Sequence, residues 1–189
     1  MQREQIAQLV EKSKKNDFDA FRKLVCHFQP KIFAFTFRMI CNEEDANDTV
    51  QEVFVKVWQN LEKYNPKFSF NTWLYTIATN YCIDFLRSAK KKQFLPLQEE
   101  HSRQFSINDT DMRLNNKEVA EIITRITQNL SPKQRLVFTL KELEGLEVEE
   151  ISVITHLSPE KIKSNLYLAK KFIRQEFNKI FKNESERQF

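Results

Sequence analysis

The chain has 189 residues, a formal net charge of +4 and one glycine, Gly145. Dinucleotide fingerprints and phosphate-cradling P-loops need several glycines, because only glycine lets backbone amides approach a phosphate so closely; Rossmann enzymes, P-loop ATPases and kinases are therefore excluded. Five prolines beside one glycine also argue against a β-rich fold with its many tight turns, while 41% hydrophobic and 30% charged residues describe a core-forming chain.

The length fits one or two domains of about 100 residues each. No apolar run approaches the roughly 20 residues that span a bilayer, so no membrane insertion is expected. Met1 to Gln5 lacks the apolar stretch of a secretory signal. Cys26, Cys41 and Cys82 are odd in number and far apart, which fits neither a disulfide framework nor a zinc site. Reduced thiols, a cytoplasmic compartment, no metal and no cofactor are the expectations.

The first ninety residues read as helices. Asn16 is expected to cap one that opens at Asp17 and carries Phe18, Phe21, Leu24, Val25 and Phe28 at helical spacing. Pro30 is expected to start a second, aromatic helix through Phe33, Phe37 and Ile40. Asn42 caps a third, with Glu43, Glu44 and Asp45 in its first turn, where the helix dipole favours acids. Tyr64-Asn65-Pro66 breaks the chain, and a fourth helix runs from about Asn71 to Lys92. From about Gln93 to Asn115 no apolar face is sustained, which reads as a linker. Periodicity resumes at Val119, Ile122, Ile123, Ile126 and Leu130. Ser131-Pro132-Lys133-Gln134 then matches a capping box with proline in the first helical position. Glu147–Ile154, a break at Thr155-His156-Leu157, and a helix capped by Ser158-Pro159 follow. The predicted fold is all-α: two small helical domains, 1–92 and 116–189, joined by a flexible linker over 93–115.

Charge is unevenly placed along this order. Glu43 to Glu52 holds five acids and no base, and Asp84 to Lys92 holds four bases against one acid. Lys141 to Glu150 holds five acids against one base, and Ser158 to Lys182 seven bases against two acids. Two basic segments, each preceded by an acidic one, fit a chain that touches both a polyanion and a protein.

Three constellations carry this further. Val148, Ile151 and Ile154, then a tight turn, then Ile162, Leu166, Ala169 and Ile173 make two short helices of which the second is basic. That is the helix-turn-helix pattern, whose second helix enters the DNA major groove, although an ordinary αα-hairpin with a solvated face has the same spacing. The outward lysines Lys161, Lys163, Lys170 and Lys171 suit phosphate contact, and Ser164, Asn165 and Tyr167 suit base edges. In the third helix, Val50, Val53, Phe54, Val57, Trp58 and Leu61 form the core stripe. Asp48, Glu52, Val55 and Gln59 fall opposite, on a face that is either solvated or protein-binding with Val55 at its centre. From Tyr64 to Tyr81 aromatics and amides interleave, the composition that stacks unpaired bases and reads their edges; Phe70, Trp73 and Ile77 read as core, and Tyr64 in the loop as the nucleic-acid candidate.

These residues resemble a known family. Asp45 to Trp58 is similar to the polymerase-binding helix of bacterial RNA polymerase sigma factors. Thr72 to Asn80 with Asp84 to Arg87 resembles their promoter-melting helix. Leu130 to Phe138, Glu149 to Ile151 and Ile162 to Ser164 resemble their C-terminal DNA-binding domain. Two domains at this length are similar to the extracytoplasmic-function group. The resemblance implies a sigma factor, without catalytic residues, whose partners are core RNA polymerase and promoter DNA. It implies that Asp45, Asp48, Gln51, Glu52 and Val55 bind the β′ clamp helices of the polymerase. It implies −10 contacts from Tyr64, Asn65, Lys67, Asn80, Arg87, Lys90 and Lys91, with a flipped base held near Tyr64 and Asn80. The −35 contacts would come from Lys161, Lys163, Ser164, Asn165, Tyr167, Lys170 and Lys171. Whether an anti-sigma factor is a further partner is left open.

Two departures stand out. Asn165 and Leu168 occupy recognition-helix positions where the family often has arginine, which implies fewer cationic contacts to the −35 element. Asn47 replaces a usual acid in the polymerase-binding motif. Competing readings fit less of the chain. A dimeric helix-turn-helix regulator leaves the acidic third helix and the Trp73–Asn80 motif without a purpose. A hydrolase lacks ligand spacing among His27, His101 and His156 and lacks a serine in a nucleophile elbow. A helical anti-sigma or adaptor protein leaves the basic recognition helix unexplained.

Overall fold

The computed structural model describes residues 1–93 and 126–186, with side chains for 1–88 and 126–179. The described elements are all helical: α1 Arg3–Lys14, α2 Phe18–Ile40, α3 Glu43–Gln59, a 3-10 turn Leu61–Lys63 and α4 Phe70–Gln93. After a helical turn at 126–128 come α5 Pro132–Phe138, a π turn Thr139–Leu143, α6 Val148–Thr155 and α7 Pro159–Glu186. The expected linker beyond residue 93, and Val119, Ile122 and Ile123, lie outside the described residues.

Two expectations about the first half need correction. Asn16 does not cap the second helix: it sits in the left-handed region at φ 63°, which asparagine tolerates, and Asp17 is the cap, its Oδ1 accepting the Ala20 N–H at 2.9 Å. Pro30 does not start a helix either, because α2 runs through it for 23 residues. An interior proline costs about 3 kcal/mol through its missing donor and ring clash. Leu24, Phe28, Ile32, Phe35 and Met39 lie on one buried stripe spanning the proline. At about 1.5–3 kcal/mol per buried side chain, that stripe outweighs the break. The stripe also differs from the expected one: Phe33 and Phe37 are half-buried and stack on each other, and Phe18 is 70% exposed.

The other start signals hold. The Asn42 side chain accepts the Asp45 N–H, and Val50, Val53, Phe54, Val57 and Leu61 are buried as expected, with Trp58 at the edge of the core. Ser131 and Gln134 exchange their capping-box bonds at the start of α5. His156 ends α6 in the left-handed region at φ 56°, and the Ser152 hydroxyl donates to the Leu157 carbonyl at 2.7 Å, pinning the turn into α7.

The two halves share one buried cluster. Leu136, Val137, Leu140, Leu146, Ile151, Ile154 and Ile162 join Leu24, Phe28, Phe35, Leu74 and Cys82 of the first half. α5 and the π turn lie against the end of α2, and α6 lies along α4. The sole glycine belongs to this junction. Gly145 follows the π turn at φ 70°, and the Leu146 N–H returns to the Leu140 carbonyl at 3.0 Å, closing the turn. Nothing lies within 4 Å of where a Cβ would stand, so the requirement is for the dihedral and not for space.

Gly145→Ala is therefore expected to cost about 1–2 kcal/mol, the penalty of the left-handed region for an L-residue, measured as a lowered midpoint in urea unfolding. A value near zero would show that the turn relaxes to another conformation.

Candidate polymerase and nucleic-acid interfaces

α3 buries one face and offers the other. Asp48, Gln51, Glu52 and Val55, spaced three and four apart over two turns, are all exposed, and Val55 is half exposed despite being apolar. Among the described residues neither Asp48 nor Glu52 forms an ion pair. Asp45 is half-buried in the first turn. Sequence reasoning missed the neighbour of this face: Phe18 stacks on Trp58 at 5.0 Å between ring centroids, three residues after Val55. Acids around an exposed apolar centre are the composition of a docking surface with a polar rim.

The loop before α4 is organised around Tyr64. Its ring packs against Phe70 at 5.5 Å and Trp73 at 5.4 Å, its hydroxyl donates to the Phe68 carbonyl at 2.9 Å, and Lys14 Nζ stands 5.7 Å from its centroid. Burial raises its pKa. Tyr64 is thus a half-buried strut of the loop as well as an aromatic surface. Around it Asn65, Lys67 and Phe68 are exposed, with the Asn65 side chain accepting the Lys67 N–H. Asn80 is exposed on α4, seven residues and about 10 Å of helix rise beyond Trp73, on the same side. Arg87 is exposed and pairs with Asp84 at 3.1 Å. Lys90 and Lys91 lie on α4, and their side chains are outside the described residues.

α7 buries Ile162 and Ala169 and presents a basic outer face. Lys161, Lys163, Ser164, Tyr167 and Lys171 are exposed, and Tyr167 and Leu168 are 66% and 44% exposed. Lys170 is paired with Glu142 at 2.9 Å, and the Asn165 amide donates to the Lys161 carbonyl of its own helix at 2.7 Å. At the helix start, the Ser158 hydroxyl accepts the Lys161 N–H, and the Glu160 carboxyl is held below its ordinary pKa by hydrogen bonds from its own backbone N–H and from Ser158.

A further set of polar residues, invisible to helical periodicity, joins the two halves. The Glu144 carboxylate accepts from Arg38 Nη1 and from the Tyr75 hydroxyl, both at 2.5 Å. Burial, then this bond, raises the Tyr75 pKa. Arg135, buried in α5, donates to the Met39 carbonyl at 2.7 Å, to Thr127 at 3.0 Å and to Gln128. Met39 lies in the last turn of α2, whose carbonyls lack intrahelical partners and carry the negative end of the dipole. The Thr72 hydroxyl donates to Glu150 Oε1 at 3.1 Å.

A helix-turn-helix with a basic outer helix, behind a helical domain with an exposed acidic face, defines a DNA-binding protein of transcription. A family model for sigma-70 region 2 matches residues 24–92, and one for sigma-70 region 4 matches residues 120–173. The chain is 26% identical over 186 residues to the ECF RNA polymerase sigma factor SigW of Bacillus subtilis (strain 168), covering 93% of this chain and 98% of the relative. It is 29% identical over 173 residues to the ECF RNA polymerase sigma-E factor of Escherichia coli (strain K12), covering 87% and 90%. The fold is similar to that of the sigma factor RpoE solved with the anti-sigma factor NepR from Bartonella quintana, at a TM-score of 0.66 and 20% identity over 84% of this chain and 96% of that one. The chain belongs to the sigma-70 family, in its extracytoplasmic-function group, and is a sigma factor that directs promoter recognition with RNA polymerase.

The strut role of Tyr64 separates from any role in DNA binding. Tyr64→Phe keeps the ring cluster and loses the bond to the Phe68 carbonyl, so urea unfolding should show a loss of about 0.5–1.5 kcal/mol. An unchanged stability would mean that the loop does not rely on that bond.

Proposed function

We propose that the exposed face of α3 is the surface that docks on the β′ clamp helices of core polymerase, that the Tyr64–Asn80 side of the first half holds the −10 element, and that α7 reads the −35 element. The observation that carries the reading is the placement of Asp48, Gln51, Glu52 and Val55 on one exposed face, opposite the stripe that builds the core. The two domains of the proposal are 1–92 and 116–189, and the compartment is the cytoplasm. The sigma chain supplies position and no covalent chemistry. Asn65, Lys67, Asn80, Arg87, Lys90 and Lys91 meet the −10 strand, and Tyr64 and Asn80 border the place of one flipped base. Flipping costs a few kcal/mol, which stacking and edge hydrogen bonds offset. On α7, Lys161, Lys163, Lys170 and Lys171 serve phosphates, while Ser164, Asn165 and Tyr167 meet base edges. Because Asn165 bonds its own helix, Ser164 and Tyr167 carry most of the sequence preference. An anti-sigma factor is a proposed further partner, in line with the RpoE complex.

Charge reversal at Asp48 and Glu52 should weaken core binding at least about tenfold with thermal stability unchanged, because neither carboxylate has an ion-pair partner among the described residues. A competition assay for core polymerase against another sigma factor reads this; equal competition by the reversed protein would move the docking surface elsewhere. Lys163→Ala should weaken binding on every −35 sequence and reduce the salt slope by about one unit, whereas Ser164→Ala and Tyr167→Ala should change which sequences are preferred. A binding-site selection with an unchanged preference for both would show that they do not read bases.

A further inference from the structure

We propose that Phe18, stacked on Trp58, is an aromatic anchor at the end of the polymerase-docking face, and that core polymerase buries its ring on binding. The inference rests on the α3 reading above and extends it to a residue outside the segment, 24–92, that the sigma-70 region 2 model matches. Position is the first observation. An α-helix turns about 100° per residue, so Trp58 stands about 60° from Val55 and about 20° from Gln51 around the α3 axis. It lies about 10 Å further along the helix than Gln51, at the C-terminal border of the exposed face. Phe18, in the first turn of α2, stacks on the Trp58 ring at 5.0 Å with the planes 27° apart. Phe21 packs against the same ring at 4.8 Å. An aromatic ring from a second helix thus prolongs the face that Gln51 and Val55 begin.

Exposure is the second observation. Phe18 is 70% exposed, more than any other large hydrophobic side chain among the described residues, while Phe21 and Trp58 are half-buried. The free chain gains little from that ring: Asp17 supplies the cap of α2, and the buried stripe begins at Ala20 and Leu24. The stack on Trp58 holds Phe18 in one place, so little side-chain freedom is lost when a partner covers it. Rigid, exposed aromatics of this kind are the side chains that dominate docking affinity. Continuity and charge select the occupant. A helix lying along Asp48, Glu52 and Val55 reaches Phe18 at the end of the same face, and the two carboxylates call for cationic side chains on it. The aromatic pair accepts the stem or the guanidinium of an arginine. A second copy of this chain brings the same acids to the contact and is repelled. Core polymerase is therefore the partner assigned.

The test uses the full chain and core polymerase. Phe18→Ala should weaken binding to core at least about fivefold in competition against another sigma factor, and Phe18→Tyr, which keeps the ring, should restore it. Binding to a −35 duplex should not change. Urea unfolding of Phe18→Ala separates anchor from cover: a loss of stability with core affinity intact would make the ring a cover for Trp58 and overturn the proposal. The photocrosslinker p-benzoylphenylalanine in place of Phe18 gives the direct readout. Irradiation with core polymerase should attach the chain to the β′ subunit. Attachment to a second copy of the chain, or to no polymerase subunit, overturns the proposal. Failure of the α3 reading has a different signature: the chain reversed at Asp48 and Glu52 competes as wild type does, while Phe18→Ala still weakens core binding. If the reversal weakens binding and Phe18→Ala does not, the α3 reading stands and the anchor alone is lost.

Discussion

Taking a carboxylate out of water costs several kcal/mol unless donors and positive charge replace the solvent. The Glu144 side chain, 9% exposed, meets that condition only through Arg38 and Tyr75, which belong to the other half of the chain. Arg135 poses the same problem with the opposite sign. Burial lowers its pKa, and its donors are satisfied by carbonyls at the end of α2 and within the helical turn at 126–128. Glu144 takes both of its side-chain partners from the first half, and Arg135 takes one of its three carbonyls there, that of Met39. These bonds across the halves tie α5 and the π turn to α2 and α4, beside which α6 lies along α4.

From that junction the functional faces follow. The acidic face of α3 points away from the shared core, and so does the basic face of α7. The acidic face and the basic face lie on different helices, α3 in the first half and α7 in the second. Lys67, Phe68 and Ser69 of the Tyr64 loop share a cleft with Glu149 and Glu150, and the Tyr64 ring is held by Phe70, Trp73 and Lys14. In the proposed −10 role that rigidity has a use: a base drawn from a duplex needs a surface already in place, because ordering a loose loop would add to the cost of flipping.

Local physics was legible in the sequence and long-range physics was not. Asn42 and Ser131 announced their helices because a capping bond is made within three residues. The core stripe of α3 was legible for the same reason, since its period is a property of one helix. Pro30 misled because its penalty is local, whereas the burial that overrides it belongs to the whole first half. Asn16 misled by a single position, the adjacent Asp17 offering the same cap chemistry. The partnership of Arg38 with Glu144 spans 106 residues. It depends on a π turn and one glycine to aim the carboxylate, and no periodicity encodes that. The excess of acids from Lys141 to Glu150 was the one trace of it in the sequence, and it pointed to a charge without naming its partner.

The central claim is that this one chain gives core polymerase its promoter choice by presenting a polymerase face and a DNA face on one helical core. Run-off transcription from a random promoter library, with purified core polymerase in the presence and absence of the protein, tests it most directly. The account predicts transcripts that depend on the protein and start at a fixed distance from two enriched sequence blocks, one near −10 and one near −35. Transcription no different from core alone, or starts that share no such pair of blocks, would contradict it.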